Sequence, residues 1–316
     1  MEVLHHPGEC VTGRACAVTI GAYDGVHIGH RMVIDRVRRV AAEQDLASAV
    51  VTFNQHPAAV VRPESAPSLL TDLDQKLELL ESTGVDYALV VQFDQSRSEE
   101  SAEDFVREIL VGCLDARAVV VGHDFHFGYK RQGNVPLLQR MGADLGFDVT
   151  GLRLFRDGAG GQPISSTRIR ELLAGGAVGE AALLLGRPHQ VRGIITPGDR
   201  RGRELGFPTA NVALSTAFVL PAEGVYAGWY QRADGVRRPA ALSLGRRPTF
   251  YEHADLALLE AFLLDFTGDL YGEAARVEFV APLRGQLRFD SVDELIERIG
   301  QDVADTRRVL AERGAP

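Results

Sequence analysis

Between residues 17 and 154 short, continuous apolar runs alternate with helix-like stretches, and this alternation restricts the fold more than any other feature of the chain. Ala17 to Ile20, Ala49 to Phe53, Tyr87 to Phe93, Ala118 to Val121 and Asp148 to Leu154 read as strands. Between them lie an amphipathic stretch from about His30 to Gln44, a helical stretch from Asp72 to Thr83 and another from Ser101 to Val111. The second carries Leu73, Leu77 and Leu80 at helical spacing and stops at Gly84, and Pro136 stands where a further first turn would begin. Strands that are apolar along their whole length have both faces covered, so a parallel sheet wrapped by helices on each side is expected.

After about Gly186 the texture changes. Val191 to Thr196, Gly224 to Arg232, Val236 to Leu242, Leu256 to Phe266 and Ala275 to Val280 read as strands with short turns, and Asp234-Gly235 marks a hairpin. With no helix between them the sheet is expected to be antiparallel, most simply a small barrel. A closing helix is predicted from the capping box Ser291/Glu294 and a stripe of Val292, Leu295, Ile296, Ile299 and Val303. The 316 residues are about twice a typical domain, and the two textures divide them into domains 1–186 and 187–316.

Composition removes whole classes of function. With 34 basic and 43 acidic side chains the formal charge is −9, against a nonspecific nucleic-acid binder but compatible with a local phosphate site. The three cysteines, Cys10, Cys16 and Cys113, form no CxxC pair and no even framework, which favours a reducing compartment. No basic-then-apolar leader and no membrane-length apolar run is present, so a soluble, cytoplasmic protein is expected.

The first chemical constellation, Gly21-Ala22-Tyr23-Asp24-Gly25-Val26-His27-Ile28-Gly29-His30, joins the first of these strands to the first helix. Gly21, Gly25 and Gly29 let backbone approach a phosphate, a helix N-terminus offers unpaired N–H groups, and His27 and His30 can face one anion. Ile164-Ser165-Ser166-Thr167-Arg168-Ile169-Arg170 opens a later helix. One of Ser165, Ser166 and Thr167 suffices as a cap, so the surplus hydroxyls and Arg168 suit a polyphosphate. Gly122-His123-Asp124-Phe125-His126-Phe127-Gly128 follows another strand and can line the same crevice through Asp124.

HxGH with a later ISSTxIR resembles the nucleotidyltransferase superfamily, and GxYDGVHxGHR with GxDFxFG is similar to the FMN adenylyltransferase module of bacterial FAD synthetases. Tyr23 stands where that family usually has Phe, and Thr52-Phe53-Asn54-Gln55-His56-Pro57 resembles its TFxxHP loop. The resemblance implies a Rossmann-like domain that transfers AMP from ATP to FMN. FMN's phosphate is already a nucleophile, so this step needs positioned donors and cations rather than a general base.

The second constellation is Gly198-Asp199-Arg200-Arg201-Gly202-Arg203-Glu204-Leu205-Gly206-Phe207-Pro208-Thr209-Ala210-Asn211. A surface turn would account for its first half, but its PTAN ending resembles riboflavin kinases, making Gly202 and Arg203 candidate nucleotide contacts. The same resemblance implies that Thr209 and Asn211 hold Mg²⁺ against ATP. Phosphorylating a ribityl hydroxyl requires a base. Strand alternation puts Glu260 on the face of Phe262 and Leu264, and its segment resembles the family's VExHxLDF with a following GDLYG (Gly268 to Gly272). Arg284 matches a family arginine near the flavin. Two positions depart from the pattern: Phe262 replaces a histidine and Ser243 an asparagine.

Together the resemblances imply a bifunctional riboflavin kinase and FMN adenylyltransferase acting on riboflavin, FMN, FAD and ATP, and from charge and hydropathy no nucleic-acid or membrane partner is expected. The departures leave two alternatives: a homologue with an impaired kinase half or an altered flavin-like substrate, and a non-catalytic flavin-binding module.

Overall fold

The computed structural model describes residues 1–6, 8, 12–153, 161–198, 202, 205–215, 217–246 and 257–313. They form two compact units, Met1–Ser166 and Thr167–Pro316.

The first unit is built on parallel strands β1 (Glu2–His6), β2 (Cys16–Ile20), β3 (Ala47–Phe53), β4 (Tyr87–Val91), β5 (Ala116–Gly122) and, after the short hairpin β6/β7 (His126–Phe127, Gly133–Asn134), β8 (Asp148–Leu152). Their order in the sheet is β1-β4-β3-β2-β5-β8. Alternate residues of the same strands leave to opposite faces. Val18, Val51, Leu89, Val119 and Val121 pack with Ile109, Leu110 and Leu138. Ala17, Ala118 and Val120 turn instead to Val37 and Val40 of α1 (Ile28–Glu43). The short α2 (Pro57–Val61) precedes α3 (Leu73–Glu81), whose Leu80 joins Val50 and Ala88 on the α1 face.

The predicted helix at 101–111 begins as a short α-helical turn, Ala102–Phe105, and passes into a π-helical turn, Val106–Cys113. α-Helix Val135–Leu145 has Asn134 as its cap and Pro136 in its first turn. Strand β1 was not anticipated: it lies at the sheet edge on β4, where one half-buried pair of faces is enough and its two histidines break the apolar run. Cys16 is a buried free thiol, whereas Cys113 is disulfide-bonded, a cross-link the cysteine spacing did not suggest.

Two helices, Ser166–Ala174 and Val178–Leu185, lead to the barrel, the second of them packing on its strands β9 and β14. The barrel closes antiparallel in the order β10-β13-β12-β11-β14-β9, from β9 (His189–Thr196), β10 (Ala210–Leu214), β11 (Gly224–Gln231), β12 (Arg237–Arg246), β13 (Ala257–Leu263) and β14 (Ala274–Arg284). The Asp234-Gly235 turn is present, with Gly235 at φ 84° and Val236 N–H donating to Asp234 Oδ1 at 2.9 Å. Strand β10 was missed because Pro-Thr-Ala-Asn reads as a loop. It nonetheless pairs with both β9 and β13.

The closing helix is Val292–Arg313. Ser291 Oγ accepts from Glu294 N at 3.2 Å, while the Glu294 carboxylate reaches back to Asp290 N at 3.1 Å rather than to Ser291 itself. Its predicted stripe is not core: Val292 is exposed, Leu295 and Ile299 line a cavity, and the residues the helix buries are Asp302, Thr306 and Leu310.

Close packing in the barrel leaves no space at Gly228 of β11, where an added Cβ would meet Glu278 O at 2.2 Å and Leu242 Cδ1 at 2.4 Å. Gly285 has nothing within 4 Å of the same position. Gly228→Ala is expected to lower unfolding free energy by about 2 kcal/mol or more, against little change for Gly285→Ala, measured by urea unfolding.

Candidate functional sites

In the first unit the strand order reverses at β2: the chain runs through β3 and β4 on one side and returns to β5 on the other. Such a reversal opens a crevice past the carboxyl ends of the strands. The loop leaving β2 enters the left-handed region at Tyr23 (φ 50°), Gly25 (φ 83°) and Val26 (φ 37°). Only glycine adopts this freely; for the other two the strain is on the order of 1–3 kcal/mol each.

Buried contacts hold that loop. Tyr23 shares a 2.7 Å hydrogen bond with Thr19 Oγ1. The Asp24 carboxylate accepts from Leu70 N and Thr71 N, both at 3.0 Å, and from Thr71 Oγ1 at 3.2 Å, while Gly25 N donates back to that hydroxyl at 3.1 Å. Asp24, a candidate ligand contact in the sequence, thus braces two loops against each other. Ser166 Oγ adds a 2.9 Å bond to Asp24 O.

His27 caps α1. Its Nδ1 accepts from His30 N at 3.2 Å, so a neutral ring carries its proton on Nε2. Gly29 leaves room for it, since a Cβ there would lie 3.2 Å from the His27 ring, closer than ordinary van der Waals contact. The His27 and His30 rings stack at 3.5 Å and 16°. Burial, aided by His27 and Lys76, holds His30 well below the usual imidazole range, so it is neutral at pH 7; its Nδ1 is buried without a hydrogen-bond partner. The Gly21 N–H ties the loop to β3 through Val51 O at 3.0 Å, and Thr52 Oγ1 donates to Ala22 O at 3.1 Å.

The cation of this crevice is one the sequence reading passed over. Lys76, only 7% exposed, donates to Phe53 O at 2.7 Å and Ala22 O at 3.3 Å. Its signal was available: it stands with Leu73, Leu77 and Leu80 on the inward stripe of α3, where a charged residue is out of place.

Asp124 lies on the exposed loop past β5, adjacent in the sheet to β2; Phe125 and Phe127 behind it stack at 5.4 Å and pack against the core. Ser165 is half-buried just before the first turn of its helix, and Thr167 and Arg168, exposed and half-buried, stand in that turn within the second unit.

The second site follows from barrel register. Glu260 stands opposite Asn211 on β10 and opposite Ser243 on β12; Ser243 stands opposite Val225, and Val225 opposite Arg284. Directly opposed residues share a face, so one row around the barrel collects side chains far apart in sequence. All five line a cavity of about 480 Å³ together with Gly202, Thr209 and Phe262.

With its amide nitrogen toward the carboxylate, Asn211 donates to Glu260 Oε1 at 3.1 Å and accepts from Gly198 N at 3.1 Å. Gly198 cannot carry a side chain, because a Cβ there would overlap the Asn211 amide. Gly202 is confined likewise, with Phe207 O at 2.4 Å from the position of a Cβ. Thr209 and Asn211, two residues apart in extended chain, both reach the cavity.

Phe262, where a histidine was expected, meets Phe207 edge-on at 5.5 Å. Ser243 lies 3.5 Å from Gln286 Nε2, which also donates to Leu244 O at 2.9 Å. Arg284 is no plain surface arginine: it pairs with the buried Asp302, Nε and Nη2 donating at 3.0 and 2.7 Å. Arg203 lies outside the described residues.

A doubly wound unit with HxGH at its switch point, followed by a barrel with PTAN opposite a glutamate, defines a nucleotidyltransferase joined to a small-molecule kinase. Comparison with known proteins agrees. Residues 11–168 match the family model described as FAD synthetase and residues 185–310 the one described as riboflavin kinase. The bifunctional riboflavin kinase/FMN adenylyltransferase of Haemophilus influenzae is 38% identical over 95% of both chains, and that of Pseudomonas fluorescens 39% over 94% of both. A crystal structure titled a macrolide-efflux protein, from Streptococcus pneumoniae, superposes with a TM-score of 0.86 at 28% identity over 97% of this chain and 99% of its own. Among the described residues no helix is long and apolar enough to cross a membrane. The chain belongs to the bifunctional riboflavin kinase/FMN adenylyltransferase family.

The ring at position 23 has a testable consequence. Tyr23→Phe leaves Thr19 Oγ1 buried without this partner and is expected to cost roughly 1–2 kcal/mol, while Thr19→Val with Tyr23→Phe recovers most of that loss. Thermal unfolding of the four-member cycle measures both terms.

Proposed function

We propose that this chain makes FMN from riboflavin at the barrel site, within residues 187–316, and FAD from FMN at the crevice of residues 1–186. The row that sets Asn211 and Ser243 on either side of Glu260, at the wall of a cavity, is the observation that carries the kinase half. The stacked histidines at the start of α1, one with an unpartnered buried ring nitrogen, carry the other half.

In the kinase step the ribityl hydroxyl loses its proton to Glu260 as its oxygen attacks the γ-phosphorus of ATP. The γ-phosphorus–oxygen bond breaks and ADP leaves. The Asn211 amide keeps the carboxylate aimed into the cavity. The Thr209 hydroxyl and the Asn211 carbonyl are neutral oxygen donors of the type Mg²⁺ takes, so they fit that ion, which would neutralise phosphate charge. Arg284, Gly202 and Arg203 belong to the same nucleotide- and flavin-binding set. Phe262 adds an apolar wall with Phe207, suited to a flat ring.

In the adenylyl step an FMN phosphate oxygen attacks the α-phosphorus of ATP, and pyrophosphate leaves. No proton has to be removed, which suits a crevice whose buried histidine is neutral. His27 and His30 act as hydrogen-bond donors to the phosphates, the glycines 21, 25 and 29 admit them, and Asp124, Ser165, Ser166, Thr167 and Arg168 complete the binding set. Asp24 contributes by holding the loop.

The ligands on this reading are flavins and ATP, with no part for nucleic acid or membrane. An ATP-consuming enzyme suits the cytoplasm.

Glu260→Gln is expected to lower riboflavin phosphorylation at least about a hundredfold, while FMN-to-FAD conversion stays within twofold. His27→Ala is expected to do the reverse, with a loss of about a hundredfold in FAD formation. Loss of both activities in either variant, or an unchanged FAD-forming rate in the second, would contradict the assignment. Separate assays from riboflavin and from FMN decide it.

A further inference from the structure

The crevice contains a buried ammonium group that the reaction as described does not use. Lys76 projects from α3, and its Nζ ends between two backbone carbonyls, Phe53 O and Ala22 O. Ala22 belongs to the loop that carries Asp24, His27 and His30. Phe53 ends β3 and opens the Thr52–Pro57 loop. One cation therefore clamps the exits of two neighbouring strands at the switch point, where a nucleotide phosphate would approach.

We infer that Lys76 is a positioning residue for adenylyl transfer, fixing these two loops relative to each other and supplying the fixed positive charge beside the histidine pair. This rests on the adenylyltransferase reading given above. Three observations favour it over a casual buried lysine. The ammonium satisfies carbonyls at the ends of β2 and β3, which a hydrophobic residue could not do. It contributes to holding His30 neutral, so charge and hydrogen-bond donation in the crevice are divided between two groups. Its burial, opposed by the Asp24 carboxylate, brings its own pKa down to about 8.

The ionisable groups around it are few. Asp24, on the loop after β2, is the carboxylate that favours its charged form, and His30 on α1 is electrostatically linked to it, with His27 stacked behind. His56 in the loop after Phe53 caps α2 through Ala58 N, and Asp72 caps α3 through Gln75 N.

The sign of the pH effect follows. Below pH about 8 the ammonium carries the positive charge beside the histidine pair; above it the charge is lost, and the two carbonyls are left with the weaker donors of a neutral amine. The rate of FMN-to-FAD conversion is therefore expected to fall by about tenfold per pH unit above that value. Lys76→Arg, whose guanidinium stays charged, is expected to remain level to pH 9.5. Lys76→Met is expected to lose tenfold or more of kcat at pH 7, with riboflavin phosphorylation by the same sample within twofold of the parent.

The experiment is a set of pH–rate profiles from pH 6.5 to 9.5 on the full chain and the two variants, with riboflavin phosphorylation as the internal control. An alkaline fall shared by the parent and Lys76→Arg, a parent profile level to pH 9.5, or Lys76→Met within twofold of the parent would each overturn the inference. If the methionine variant does not fold, the parent and arginine profiles still decide. A parent that forms no FAD at any pH would overturn the adenylyltransferase reading instead.

Discussion

The kinase half depends on the register of the strands flanking Glu260. Directly opposed residues of antiparallel strands share a face, and this pairing sets Asn211 and Ser243 beside a carboxylate many residues away. A slip of one residue in β10 or β12 would turn Asn211 or Ser243 to the other face and set one of their buried apolar neighbours, Ala210 or Val212 in β10, Leu242 or Leu244 in β12, opposite Glu260. The fold protects against it, because those apolar alternates would then leave the core. The same burial that stabilises the barrel thus specifies which polar groups meet.

The first unit solves the equivalent problem with a parallel sheet. Its polar site cannot lie within strands buried on both faces, so it forms where the strands end and the backbone has hydrogen bonds left to satisfy. Asp24, Thr71 and Lys76 satisfy them, and the loop can then sustain left-handed Tyr23 and Val26 and present His27 at the start of α1. The strain and the buried charge sit together at the site, where local rules are expected to be broken.

Much of this was legible in the chain. The apolar runs gave the doubly wound sheet because period and burial leave one choice, and the Asp234-Gly235 turn and the absence of intervening helices led to the barrel. What escaped was set by tertiary context. Strand β10 hides in a Pro-Thr-Ala-Asn stretch whose pairing partners are distant, and β1 is an edge strand with too few apolar residues to announce itself. Lys76 was visible only as an anomaly on a helical stripe. The apolar stripe of the closing helix was legible, but not that its Leu295 and Ile299 would line the cavity. Asp24 and Arg284 show the converse: motif and family resemblance marked them as site residues, but their charged ends are engaged by Leu70, Thr71 and Asp302, partners distant in sequence.

Two phosphate-handling sites on one chain, using chemically different displacements, is the central claim, and stoichiometry tests it most directly. Purified protein supplied with riboflavin, ATP and Mg²⁺ should yield one ADP for each riboflavin consumed and one pyrophosphate for each FAD formed, with FMN rising before FAD. Pyrophosphate released without prior ADP, or no flavin product at all, would contradict the account.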